Sequence, residues 1–250
     1  MTAKDLTNQV VATYRMLRLG LAVLAFAFPL LLWTGGHLAG HLPLAGSMSA
    51  YYHASDPLDP EHGAPGQGVM RNEFVGILFA VGMLLLVYQG ISPYEDWALN
   101  LAGVMAFGIA LCPMKWTTGP HDSPFSFHGF FAISFFICIA YVCIWRAADS
   151  LSLVKDVATR KYYRRTYKWL GWAMVICPVI AWVLISRLPF HATTIFFVEL
   201  AGIYVFATYW VVKSREASKT RLDEKAIRGE VRAQPQGLSH VFRALPLTVQ

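Results

Sequence analysis

Apolar residues gather into six runs, roughly Leu19–Thr34, Phe74–Gln89, Trp97–Cys112, Phe127–Trp145, Trp169–Ser186 and Thr193–Val212. A helix that crosses a bilayer needs about 20 mostly apolar residues, with some latitude for tilt. The second and third runs are short and should each borrow a turn from their flanks. The pattern predicts an all-α fold: a polytopic membrane protein built as a six-helix transmembrane bundle over residues 1–212. Residues 213–250 are expected to form a charged tail, helical at first and frayed after Arg228, where Gly, Pro and Gln accumulate.

The segments between the runs set the orientation. Lys4, Arg15 and Arg18 precede the first run. The 146–168 linker carries Arg146, Lys155, Arg160, Lys161, Arg164, Arg165 and Lys168, and the tail carries eight more cations from Lys213 to Arg243. With six spans all three segments share one side, and the positive-inside rule makes it the cytoplasm, with N and C termini both inside. Only Arg71, Lys115 and Arg187 remain for the outer side. The discordant piece is the inner turn with Glu95 and Asp96, and acidic residues weigh little in this rule. The first run also has the outline of a signal peptide, with basic residues before it and Leu-Ala-Gly-Ser at 44–47 after it, but cleavage would leave the sidedness unchanged.

Composition agrees with lipid as the solvent. Hydrophobic residues are 56% of the chain and charged ones 14%, against about a quarter charged in a soluble domain. The net charge of +6 sits in flanking segments rather than in a nucleic-acid patch, so membrane lipids are the expected partners and nucleic acid is not. The basic linker, with Tyr162, Tyr163 and Tyr167, suits an interfacial helix on the inner leaflet or a simple topology signal. The four cysteines lie in or at the ends of apolar runs with no CxxC spacing, which reads as packing rather than disulfide formation. Ala98, Ala102, Ala106 and Ala110 repeat every four residues beside Gly103 and Gly108, a face that lets helices approach closely. Pro178 is expected to kink the fifth run, or at least to free a carbonyl.

Candidate chemistry falls on the outer side. Seven of the eight histidines lie there: His37, His41, His53, His62, His121, His128 and His191. The long loop 35–72 opens Gly-Gly-His-Leu-Ala-Gly-His, whose glycines disfavour the helix that would make His37 and His41 a metal pair. Gly46–His53 is expected to contain a short helix with Tyr51 and Tyr52 at the interface, followed by a wet acidic turn at Asp56, Asp59 and Glu61. Glu73, His128 and Glu199 recur at the outer ends of runs, and a charged group inside an apolar helix normally faces a partner in the bundle. His53, Glu73, His128 and Glu199 together offer two nitrogens and two oxygens, the ligand types of a zinc site. An open position would generate hydroxide near the headgroups, with Ser49 orienting a carbonyl or stabilising the oxyanion. The alternative is structural, with Glu199 paired to Arg187 or Lys115, Glu73 facing water and His128 at a packed interface. A bis-His haem would need His128 and His191.

Ser49-x-x-x-His53, followed by a carboxylate before Phe-x-Gly-Ile at Glu73-Phe74-Val75-Gly76-Ile77, resembles the first half of the motif of the alkaline ceramidase and adiponectin-receptor superfamily, seven-span zinc-dependent lipid amidases. The resemblance implies metal or hydrolytic roles for Ser49, His53 and Glu73. This chain differs in having six runs, Glu in place of Asp, and no closing His-x-x-x-His. Over most of residues 15–215 the chain is similar to bacterial six-span inner-membrane proteins with a Ser-x-Ser-Ala-Tyr-Tyr-His segment, here Ser47 to His53, and its layout resembles the DRAM-like family. Two functions follow as expectations. One is a metal-dependent hydrolase of lipid amides or esters in the bacterial inner membrane. The other is a non-catalytic subunit, receptor or sensor with a membrane-protein partner.

Overall fold

The computed structural model describes residues 2–40, 42–53, 68, 70–114, 126–154, 156–185 and 193–227. Among these residues six long helices and a short seventh follow one another: α1 (Ala3–Gly40), α2 (Arg71–Val87), α3 (Pro93–Leu111), α4 (Phe127–Tyr141), α5 (Val157–Ile185), α6 (Thr194–Thr220) and α7 (Leu222–Ile227). The described residues contain no strand. Among the described residues three stretches are long and apolar enough to cross a membrane: Lys4–Leu38, Phe127–Leu151 and Thr194–Thr220. At 17 residues, α2 rises only about 25 Å, short of the roughly 30 Å hydrocarbon layer. It does borrow Arg71, Asn72 and Glu73 from its flank, as α3 borrows Pro93 to Asp96.

Polarity is distributed as lipid demands. Val23, Leu30, Val104, Ile133, Ile137 and Val179 face outward, whereas Arg18, Glu95, Lys213 and Glu216 are buried. Apolar helices on the outside and charges within are the pattern of an integral membrane protein.

Local sequence explains where helices start and how closely they pack. Ser92 caps α3 by accepting from the Glu95 amide at 3.3 Å, with Pro93 in the first turn. Ser126 caps α4 through the Gly129 amide at 3.2 Å. The small face of α3 lies inward, with Ala102, Ala106 and Ala110 buried. A Cβ added at Gly82 would sit 2.9 Å from the Gly103 carbonyl oxygen, and one added at Gly103 would sit 2.8 Å from that of Gly82. The two glycines therefore set the α2–α3 approach. All four cysteines are free thiols.

Three expectations need correction. First, α1 does not end at Gly35-Gly36 but continues through His37 to Gly40. Those glycines admit a neighbour instead: a Cβ at Gly36 would meet the Tyr51 ring at 2.8 Å, and one at Gly35 would meet Met70 at 2.5 Å. Second, the 146–168 linker is no separate interfacial helix. A π-turn (Val142–Arg146) and a 3-10 turn (Asp149–Leu153) lead to α5, which runs unbroken through Pro178. Third, Tyr163 and Tyr167 are buried rather than placed at headgroups. Beyond Val212 the chain stays in α6 as far as Thr220, with Lys213, Ser214, Glu216 and Ala217 buried.

The cytoplasm-facing end of the expected topology holds a buried ion cluster. Lys213 Nζ lies 3.5 Å from Glu95 Oε1 and 3.7 Å from Glu216 Oε2. It also donates to the Ala147 carbonyl and to Ser150 Oγ, both at 3.3 Å. Glu216 accepts in addition from Ser150 at 2.8 Å and from the Tyr167 hydroxyl at 2.5 Å. The π-turn directs the Ala147 carbonyl there, since the Ala147 amide bonds back to Val142. Nearby, Arg18 makes a two-pronged contact with Asp223, holding α7 against α1.

Candidate functional site

The outer site is built on the Ser47–His53 segment. Ser47 Oγ accepts from the Ala50 amide at 3.0 Å and starts a 3-10 turn over Ser49–Tyr52, which His53 closes. This is the short helix the sequence predicts, but Tyr51 is fully buried rather than interfacial. Its hydroxyl accepts from the Ala45 amide at 3.3 Å, and burial pushes its titration upward. Tyr52 lies beneath the Arg71 guanidinium, 4.6 Å from ring centroid to cation.

Two bonds stitch this segment to the start of α6. The Phe196 amide donates to the Gly46 carbonyl at 2.9 Å, satisfying a first-turn donor that Thr193 does not cap. In return, the Met48 amide donates to Glu199 Oε2 at 2.6 Å. Glu199 thereby acquires a backbone partner. Arg187 and Lys115, the partners expected for it, lie outside the described residues.

Ser49, His128 and Glu199 meet. Ser49 Oγ is 2.7 Å from His128 Nε2 and 3.4 Å from Glu199 Oε1. His128 Nδ1 is 2.9 Å from the Cys112 carbonyl oxygen. A carbonyl only accepts, so Nδ1 carries a proton; in the neutral ring, Nε2 then receives the serine proton. Ser49 Oγ is the donor toward Glu199 Oε1, so its one proton is placed between the imidazole and the carboxylate. The arrangement has the elements of an activated nucleophile: a hydroxyl, a base, and a group that orients the base.

His53 and Glu73 stand apart from this triad. His53 Nε2 meets the Met114 carbonyl at 2.8 Å, so the segment after α3 orients both histidines. Glu73 is exposed on the first turn of α2. Among the described residues no group of three or more His, Cys, Asp or Glu side chains is placed to hold a metal ion. In this arrangement both His128 nitrogens and His53 Nε2 face other partners. His37 is exposed on α1; His41, His62, His121, His191 and the acidic turn at 56–61 lie outside the described residues.

Beneath the triad lies an apolar cavity of about 80 Å³. Met48, Ser49, His128 and Glu199 line one end; Phe28, Phe74, Val81, Phe135 and Phe206 line the rest. Glu199 and Phe206 are seven residues apart on α6, a depth of about 10 Å. Sequence reasoning found the three polar residues but missed their pairing. The groups that aim them, the Cys112 and Met114 carbonyls and the Met48 amide, belong to the backbone and leave no side-chain signal.

No family model, no curated protein and no solved structure matches this chain.

Proposed function

We propose that the chain is a six-span protein of the bacterial cytoplasmic membrane, with both termini inside, that cleaves a lipid ester or amide at its outer site. Ser49 is the nucleophile and His128 the base. The observation that carries the reading is the 2.7 Å contact between Ser49 Oγ and His128 Nε2 at the head of an apolar cavity. As Oγ bonds to the substrate carbonyl carbon, its proton passes to Nε2. The imidazolium then protonates the leaving alkoxide or amine, and water repeats the sequence to release the acid. Glu199 holds the Ser49 segment through the Met48 amide and places an acceptor beside Oγ.

A second reading has its own support. The Met48, Ala50 and Tyr51 amides are engaged with Glu199, Ser47 Oγ and the Met48 carbonyl. They are thus not free to serve as an oxyanion hole. That favours a receptor or sensor that binds an apolar ligand without turning it over.

Fluorophosphonate labelling of the purified protein separates the two. The hydrolase reading expects one adduct, on Ser49, lost in Ser49→Ala and in His128→Gln. A wild-type protein that binds a lipid ester without forming an adduct or releasing acid sinks it and leaves the receptor. Stoichiometric zinc, lost in His53→Ala, would instead restore the metal-dependent version implied by the ceramidase-like motif.

A further inference from the structure

At the end of the bundle opposite the Ser49 site, a groove of about 590 Å³ runs between α1 and α6. Arg15 and Leu19 come from α1; Ser214, Arg215, Ser218 and Lys219 come from α6. The α6 positions recur at intervals of one, three and four residues, so they share one helix face. No carboxylate lines the groove. The neighbouring acids are committed elsewhere: Asp223 to Arg18, and Glu216 to Lys213, Ser150 and Tyr167. Asp156, the cap of α5, is the carboxylate whose charge reaches Lys219.

We infer that this groove binds a phosphate-bearing anion, and that an anionic phospholipid headgroup is its source. Positive-inside placement explains why cations occur at this end, but it does not explain their convergence. Two helices some 200 residues apart in sequence bring Arg15 and Arg215 to one recess. Ser214 adds a second kind of observation. It is 6% exposed and lines the groove. A hydroxyl that lines a cationic recess can donate to an acceptor bound there. Phosphate oxygens supply that acceptor and the two guanidinium forks match their geometry. Leu19 gives an apolar wall for the lipid's glycerol and acyl portion. The inference is independent of the chemistry assigned to Ser49.

The test uses the full chain in nanodiscs or detergent, with native mass spectrometry reading retained lipid. Phosphatidylglycerol should be retained over phosphatidylcholine. Each direct guanidinium–phosphate hydrogen bond contributes roughly a factor of five beyond generic surface attraction, so Arg15→Gln/Arg215→Gln should lower retention about 25-fold. Ser214→Ala should lower it less. A control that removes as much charge from the basic face of α5, Lys161→Gln/Arg165→Gln, should change it less than about twofold. Equal losses in groove and control variants would mean generic surface attraction and overturn the site, as would equal retention of the two lipids with no phosphate binding. Inorganic phosphate that binds alone, with the same Arg15 and Arg215 dependence, while phosphatidylglycerol does not, keeps the phosphate site but overturns its lipid source.

Discussion

Lys213 is the residue whose loss the bundle should tolerate least. It is completely buried between Glu95 and Glu216, themselves completely buried. At an effective dielectric of about 20, an ion pair at such a distance is worth roughly 4–5 kcal/mol. Desolvation of the ammonium takes back several kcal/mol. Lys213→Met removes the attraction, relieves that cation's desolvation, and leaves two carboxylates facing one another in a dry interior. The net loss should be about 3–5 kcal/mol, a melting shift of about 6–20 °C for a chain of this size. The buried thiols Cys138 and Cys143 make the assay direct: a thiol-reactive dye reports their exposure as detergent-solubilised protein unfolds. Lys213→Met/Glu95→Gln/Glu216→Gln should recover at least half the shift, because it removes the stranded charges. Recovery should be incomplete, since the Ala147 carbonyl and Ser150 still lose a donor. A single variant within about 1 kcal/mol of wild type, or a triple variant no more stable than the single one, would refute the idea that charge balance governs this core.

Other substitutions probe packing, polarity and capping. Gly103→Leu forces atoms into a space where even a Cβ meets backbone at 2.8 Å, and it should destabilise by at least about 1–3 kcal/mol in the same melt; an unchanged midpoint would mean that α2 and α3 slide freely. Asn100 is fully buried with both side-chain polar atoms unpartnered among the described residues, so Asn100→Leu should stabilise by about 1–3 kcal/mol, and destabilisation would reveal water bonded there. Asp156 accepts from the Ala158 and Thr159 amides at 3.2 and 2.9 Å, and its bonds to Thr159 and Ala158 hold its carboxyl below the ordinary range. Its contribution should be complete above the ordinary carboxylate pKa near 4 and fade as pH falls through the lowered folded value. Acid melts of Asp156→Ala should lack that part of the slope, and identical slopes would remove the cap from the account.

The apolar runs were legible because helix length and lipid solvation act on contiguous sequence. The small face of α3 was legible because it repeats every four residues. What escaped was mostly long-range. Gly35 and Gly36 carry a local message against helix, and only the Tyr51 and Met70 side chains reveal why α1 continues. Lys213 looked like the first residue of a tail, since a positive charge after an apolar run ordinarily marks the interface. Its meaning depends on Glu95, more than a hundred residues away. Glu95 and Asp96 were the available signal: two acids in a turn the orientation rule could not use. At the outer site, residue types pointed to Ser49, His128 and Glu199, but the pairing depended on how the segment after α3 turns the imidazole. His53 and Glu73 share the same sequence neighbourhood and face elsewhere.

The two bonds joining the Ser49 segment to the start of α6 have a consequence for biosynthesis. Ser49 and Glu199 are 150 residues apart, which at about 5–20 residues per second puts roughly 8–30 s of translation between them. Until α6 arrives, the Gly46 carbonyl and the Met48 amide lack the partners that pin the segment. A nascent chain can carry Ser49 and His128 into the membrane well before the site is assembled. The last long helix to enter the bundle completes it, so a chain truncated before α6 should be inert even with both residues in place.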